Sequence, residues 1–532
     1  MLQLKKIVYL SVVISCLMMW GNNLLAQEFG KFESVLNINS CLRSSNPAFL
    51  KVIRDSLIGD VNINYEMGKG DFVNYYSPNY FDKYKISTKS YNRLSSRTVV
   101  FGKASYFYKN GKNAGYTSFL DPYSIPFNFI EKDSTTIGDN KIEEYHLIGA
   151  ISYQLYNKLN VGFKADYSTT SFVKFKDMRN INDILDLSLN TGLTYNINNN
   201  CLGISYTYTK YIENLTSKDY ADLGNDFYAL IDRGSFMGKF TLYGTNGILK
   251  TKTKRPWVDI SNKMSMQYRR SLRNQTFFLE YSYTHSKGHY GNDSDFSIIY
   301  MKHSSKYHVV NMQLSFKKRN FTQIISFNGS YMTLVNKENL YNNTVTSGGT
   351  SVTNYYGDAE TFQKKQTKYN ISYNIFLGDE YFKAPWEINT SYSYNYLHRK
   401  STYYPYFRKQ SFYNNNINLG VTRSFYRKKT DISLKFNLEF RNGYGGDPQD
   451  GIYQNAKESE TTPDYYDKLL YKEMEYLVST YLNPSFSFMI ARDYKKDVKV
   501  YAKAISSFTK PLDLKYLRGN FFSLNLSVGI NF

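Results

Sequence analysis

Three groups of residues in this 532-residue chain have the types that chemistry uses. His285-Ser286 with His289 sets a hydroxyl beside two imidazoles, the beginning of a nucleophile-and-base arrangement. No acid partner and no oxyanion signature accompany it, so these read as polar residues at the lip of a loop, and the chain is not expected to be an enzyme. Asp293-Ser294-Asp295 and Asp447-Pro448-Gln449-Asp450-Gly451 cluster oxygen ligands without the spacing of a calcium loop, and solvated turns account for both. Cys41 and Cys201 lie far apart with no metal-type Cys/His spacing, and are expected to be unpaired thiols rather than a disulfide. No glycine-rich phosphate loop follows a strand; neither a metal nor a cofactor is implied.

What remains is a set of charges with a common setting: Lys164, Asp166, Arg269, Glu280, Arg423, Lys435, Glu439, Arg441, Lys499 and Lys503. Each falls within a segment where apolar and small polar residues alternate. A period of two sends successive side chains to opposite faces of a strand. In Phe522-Ser523-Leu524-Asn525-Leu526-Ser527-Val528-Gly529-Ile530-Asn531-Phe532 the alternation runs without an error to the last residue. Placing the apolar set against lipid leaves the ten charges as candidate lumen-lining residues, since Arg or Lys on the lipid face at mid-membrane costs about 2–4 kcal/mol. Two readings of that lumen stand side by side: a polar pathway with excess cations, favouring anions, or a lumen filled by paired opposite charges.

The elements that would position these residues follow from composition. The chain holds 53 Tyr, 36 Phe and only 11 Pro, with much Asn, Ser and Thr. Tyr, Phe and Thr suit pleated strands, and Asn, Ser and Gly suit turns. A mean hydropathy of −0.50 excludes a helical membrane protein but fits a barrel whose strands hide every second residue from lipid. The formal charge is +21. A soluble chain this basic would raise nucleic acid as a partner. Residues 1–26, with Lys5 and Lys6 before the apolar run Ile7–Trp20 and a cleavage site after Leu24-Leu25-Ala26, have the form of a secretory signal peptide. An exported chain does not meet nucleic acid, so the positive charge is expected to face lipopolysaccharide or the lumen. Val13-Ile14-Ser15-Cys16 also has the form of a lipidation site at Cys16, although the apolar run continues past it.

From residue 58 the pattern predicts an all-β chain: a transmembrane antiparallel up-and-down β-barrel of 18 strands, with 14 or 16 as the alternatives. Short polar links such as Asn157-Lys158, Asn198-Asn199-Asn200 and Arg427-Lys428-Lys429 alternate with long ones, 109–141, 214–261, 335–364 and 443–473. Short turns on the periplasmic side and long extracellular loops are the layout of outer-membrane barrels. The long links read as aperiodic, with Phe236–Tyr243 patterned like one further strand, and 474–491 reads as strand throughout. The domains are then signal peptide 1–26, N-terminal periplasmic or hatch segment 27–56, and barrel 57–532.

Two resemblances follow from quoted residues. The Ala26-Gln27 junction, the Tyr/Asn-rich strands and the terminal Phe532 resemble the Bacteroidetes-type outer-membrane β-barrels of unknown function, some of which accompany nutrient receptors. Asn46-Pro47-Ala48 before the first strand resembles the N-terminal hatch of the FadL-type transporters of hydrophobic compounds. That second resemblance implies that Asn46, Pro47 and Ala48 sit within or beneath the lumen and gate it; a periplasmic tail folded on the barrel floor is the other reading. The first implies that Phe532 acts as an assembly signal for the barrel-assembly machinery. A TonB-dependent receptor is not expected, because only some 30 residues are free for a plug. The expected function is transport of a small solute, porin-like, or service as accessory to a nutrient-uptake receptor in the outer membrane of a Gram-negative bacterium. The alternative is a non-conducting structural or interaction barrel whose loops bind a partner protein, surface lipoprotein, glycan or lipopolysaccharide.

Overall fold

The computed structural model describes residues 39–532 except 54–56, 177, 219–226, 244–246, 251, 294–296, 346–350, 379–383, 455–460 and 496–497. The expected signal peptide 1–26 with Cys16, residues 27–38, and Ser294 and Asp295 lie outside the described residues. The strands in order are β1 Leu57–Gly70, β2 Tyr80–Arg93, β3 Thr98–Ala114, β4 Asn128–Glu131, β5 Gly138–Tyr156, β6 Leu159–Lys174, β7 Arg179–Ile197 and β8 Asn200–Lys218. Then come β9 Tyr228–Asp232, β10 Met237–Leu242, β11 Lys254–Ser271, β12 Gln275–Gly291, β13 Ile299–Lys318, β14 Phe321–Val345, β15 Ser351–Leu377 and β16 Trp386–Tyr403. The chain ends with β17 Tyr406–Arg427, β18 Thr430–Gly445, β19 Gln449–Ile452, β20 Asp464–Tyr465, β21 Tyr481–Lys495, β22 Val498–Pro511 and β23 Phe521–Asn531. Among the described residues two α-helices accompany them, α1 Ser40–Arg43 and α2 Asp467–Val478. Among the described residues no helix is long and apolar enough to cross a membrane.

One sheet contains 19 strands. β19 is a short side pairing on β17, and the other eighteen form a closed antiparallel barrel. Closure is made by the terminal strand: β23 pairs with β1 from Asp60↔Asn531 to Gly70↔Phe521, and Phe532 exchanges both backbone hydrogen bonds with Gly59. Closure removes the sheet edge that would otherwise expose unpaired backbone groups. The outer face carries the apolar half of the alternation. Leu147, Ile151, Phe163, Leu189, Leu193, Leu202 and Ile204 are all exposed on neighbouring strands. In water this would be an aggregating surface; in lipid it is the required one. Stacked tyrosines, Tyr396 on Tyr413 on Tyr444, lie on that outer face with ring centroids 4.8 and 4.7 Å apart, where a ring with a polar tip suits a membrane interface.

The long links are not aperiodic. β4, β9, β10 and β20, drawn from three of them, assemble a separate four-stranded sheet in the order β20-β10-β9-β4. Its core is Tyr116, Ile130, Leu230 and Phe236 with Leu469 and Leu470 of α2. The predicted strand at 474–491 begins only at Tyr481, because Asp467–Val478 is helical. There the apolar residues fall at 469, 470, 474, 477 and 478, which is helical spacing rather than period two. Residues 335–364 are likewise mostly strand: β14 and β15, 25 and 27 residues long, continue as a hairpin well past the roughly 9–11 residues that cross a bilayer.

Candidate functional site

Asn39–Ile53 lies inside the barrel, near the end that carries the short turns. Asn46 caps a 3-10 turn, Pro47–Val52, by accepting a hydrogen bond from the Ala48 amide at 3.0 Å. Its Nδ2 reaches the Leu193 and Ile204 carbonyls and Gln267 Oε1 at 2.9–3.1 Å. Ser45 donates to Glu280 through both its amide and its hydroxyl. Asn190 donates to the Ser45 carbonyl at 2.5 Å, Ser152 to the Ala48 carbonyl at 2.9 Å, and Arg43 to Gln313 Oε1 at 2.8 Å. Each such bond contributes about 0.5–1.5 kcal/mol net. The segment, here the plug, is therefore held against the inner wall of the barrel.

Three glycines make room for it. Gly162 and Gly192 are paired across β6 and β7, and Gly203 follows on β8. A Cβ at Gly162 would lie 2.2 Å from the Ala48 nitrogen, and one at Gly192 would lie 2.1 Å from Asn46 Oδ1. Glycine in a strand interior often marks close approach of another backbone. All three occupy inward positions of their strands, a signal the sequence carries. The plug is also packed: Phe49 sits edge-on to Phe278 at 6.1 Å, in a cluster with Cys41 and Cys201, both of which are free thiols.

Nine of the ten candidate charges face inward. Lys164 and Asp166 pair at 2.8 Å, with His146 on the same carboxylate at 2.7 Å. Arg269 donates to Ser271 and approaches Cys41, and Glu280 is buried against Ser45 and Gln267. Glu439 accepts from Tyr481 and Asn483, while Arg441 caps the C-terminal end of α2 through the Tyr476 and Ser479 carbonyls. Lys499 bridges Asp431 and Asp493. Lys503 stands opposite Ser527 and Met489, and Lys435 lines the lumen cavity.

Arg423 requires a correction. It shares parity with Ile417, Leu419, Val421 and Phe425 and so lies on the outer face, directly across from the 43 % exposed Trp386. It sits four residues from the end of β17, with its guanidinium 4.6 Å from the Trp386 ring and 4.9 Å from the Phe425 ring. A long cationic side chain is tolerated there because it reaches the interface while its stem stays in apolar surroundings.

The other mouth is closed by the four-stranded sheet and α2, which together form a cap. Glu131 of β4 forms a buried ion pair with Lys174 of β6, and Glu473 of α2 forms one with Arg399 of β16. Leu120 donates its amide to Glu213 of β8, Arg233 grips Glu338 of β14, and Lys364 of β15 donates to the Tyr123 carbonyl. Phe119, Phe127 and Phe129 pack with Trp257, Tyr290 and Met301 from the inner wall. Within the cap, burial pushes the Asp232 carboxyl up to about 7; Arg399 opposes the rise and Glu473 adds to it.

Among the described residues the remaining sequence candidates do not converge. His285 and Ser286 are successive residues of β12 and point to opposite faces, with His285 Nδ1 3.2 Å from the Ser305 carbonyl. Both Asp450 oxygens are taken by Arg408, at 2.7 and 2.8 Å. Among the described residues no three His, Cys, Asp or Glu side chains converge.

Beside the plug lies a cavity of about 520 Å³. Arg43, Ser40 and Ser44 of the plug form one side, and the inner faces of β12 to β16, with Lys435 of β18, form the other. A family model described as "Family of unknown function (DUF6850)" matches residues 47–532. The chain belongs to this family. The match begins within the plug and spans the whole barrel. No curated protein matches the sequence.

Similar solved structures include the outer membrane transporter YddB from Escherichia coli, at 9 % identity and TM-score 0.39, covering 89 % of this chain and 81 % of that one. BauA, the ferric preacinetobactin receptor from Acinetobacter baumannii, gives 8 % and 0.36 over 88 % and 80 %. The Pseudomonas putida toluene transporter TodX gives 11 % and 0.31 over 93 % of each chain. Superpositions this loose carry no functional argument.

Proposed function

We propose that this family member is an outer-membrane transport barrel, closed at rest at both ends, that admits a small solute when its N-terminal plug and its cap move. In this reading the short turns face the periplasm, the cap faces the cell exterior, and the signal peptide directs export from a Gram-negative cell. The single observation that carries it is the plug: hydrogen bonds and a glycine recess hold a short segment across the lumen that the ladder of the barrel does not need. A segment bonded through side chains and a few carbonyls can leave without breaking a strand pair. Lys164 and Lys499 are committed to carboxylates, which counts against their serving as an anion-selective filter. The barrel-assembly machinery, lipopolysaccharide and a neighbouring receptor or surface lipoprotein are the partners this reading implies.

One observation favours the second reading, a non-conducting interaction barrel: the cap is tied to β6, β8 and β14 to β16 by ion pairs and hydrogen bonds. Liposome swelling separates the two. Vesicles holding the full chain should exclude small sugars. Vesicles holding a chain that lacks residues 40–53 and also carries Arg399→Ala should admit them. Exclusion in both, with the barrel folded, contradicts transport.

A further inference from the structure

The inner wall facing the cavity is a lattice of neutral amides and hydroxyls, set out by strand register. Asn311, Asn328, Asn370, Ser393 and Asn416 are consecutive cross-strand partners from β13 to β17, a continuous row around the wall. Two residues nearer the short turns, a second row runs Gln313, Ser326, Ser372, Ser391 and Asn418. A third joins Asn374, Asn389, Gly420 and Asn437. Neighbours within a row are about 4.8 Å apart and rows about 6.6–7 Å apart, as strand geometry dictates. Each amide carries an acceptor oxygen and two donors. The cavity is lined by Asn311, Asn328 and Asn370 of the first row, Gln313, Ser326 and Ser372 of the second, and Asn374 and Asn389 of the third.

We infer that this wall binds an uncharged polyhydroxylated solute, of the sugar class. The inference rests on the transport reading for its purpose, but the site stands by itself. The charges lining the cavity balance: Arg43 and Lys435 against Glu280 and Glu387. Arg43 and Glu280 are moreover committed to the wall and the plug. An anion or cation entering would leave water for a neutral pocket, which is unfavourable without a free opposite charge. Asn328, Asn370 and Asn389 each use one donor on a neighbour in their own row; a hydrocarbon would leave the remaining amide groups unmatched at about 1–3 kcal/mol each, which counts against a hydrophobic cargo of the FadL type. An extended peptide binds by adding a strand to a free edge, and the closed barrel wall offers none. A solute dense in hydroxyls, each both donor and acceptor, matches a grid of groups that are also both.

The test is calorimetric titration of the purified full chain, and of the Arg399→Ala chain whose cap is loosened, with four probes: maltotriose, glucose-6-phosphate, octanoate and a blocked, uncharged tripeptide. Maltotriose should bind at least tenfold more tightly than the other three to one or both chains. Asn328→Ala with Asn370→Ala should weaken it at least tenfold, while heat-modifiable migration on gels shows the barrel intact. No maltotriose binding to either chain, or tighter binding of another probe, overturns the inference. Swelling of vesicles without maltotriose binding would leave transport standing and sink the sugar class. Binding without swelling would do the reverse.

Discussion

Gly162 and Gly192 face each other across one rung of the barrel because the plug backbone passes where their side chains would be. Gly162→Val should expel Pro47 and Ala48 without harming the ladder, since valine suits a strand. The expected outcome is at least tenfold faster protease cleavage within residues 40–53, at unchanged gel migration of the folded barrel; unchanged cleavage would count against the packing described. Asp232 carries a second prediction. Its carboxyl titrates near 7 rather than 3.8, so between those values the folded cap holds a proton that the unfolded chain has released. The linked stability is complete below about pH 4 and is lost as pH rises through about 7. Hydrogen exchange at Leu230 should therefore speed up from pH 5 to pH 8 beyond its intrinsic pH dependence, and Asp232→Asn should flatten that excess. At this scale the sequence showed parity well but depth poorly. Parity alone puts Arg423 outside, with Val421 and Phe425; what the sequence could not supply was the nearby Trp386 ring that makes the position tolerable.

The cap helix α2 is held at both ends by arginines from the barrel wall. Arg408 meets Asp467 at the first turn, and Arg441 meets the last carbonyls, where a cation complements the helix dipole. Midway, Arg399 and Glu473 form a buried pair. Removing one partner of such a pair costs about 3–5 kcal/mol because the other charge is stranded. Glu473→Ala should therefore raise hydrogen exchange along Asp467–Val478 by two orders of magnitude or more, while β16 and β17 stay protected; equal protection in the variant would contradict the latch. The barrel strands were legible because each runs for 11 residues or more, long enough for a period of two to show. Of the cap only β10, within the patterned stretch Phe236–Tyr243, is legible. Its strands are two to six residues long, and β4 and β20 find their partners in another link, so for these neither period nor proximity marks them. The helix is hidden because it abuts β21 with only two residues between, so that Met474, Leu477 and Val478 read as the start of that strand.

The whole molecule depends on one seam. Strand β23 joins the chain's end to its beginning, and Phe532 adds the last pair of hydrogen bonds while its ring packs over Gly59. Deleting Phe532 should lower the yield of heat-modifiable, membrane-inserted barrel several-fold; normal yield would remove its role in assembly. The terminal alternation that marks this seam is the most legible feature of the sequence, and the closed 18-strand barrel follows from repeating the same reading along the chain. What lies inside was only partly legible, because a segment threaded through a lumen carries no periodicity, only three inward glycines and an Asn-Pro turn. In the transport reading this segment and the cap together close the lumen. Planar-bilayer recordings can compare the full chain, the chain lacking residues 40–53, and that shortened chain with Arg399→Ala and Glu473→Ala. Silence is expected from the first and stepwise currents from the third, with the second at or below the third. Open-channel currents from the full chain, or silence from all three folded proteins, would contradict that reading.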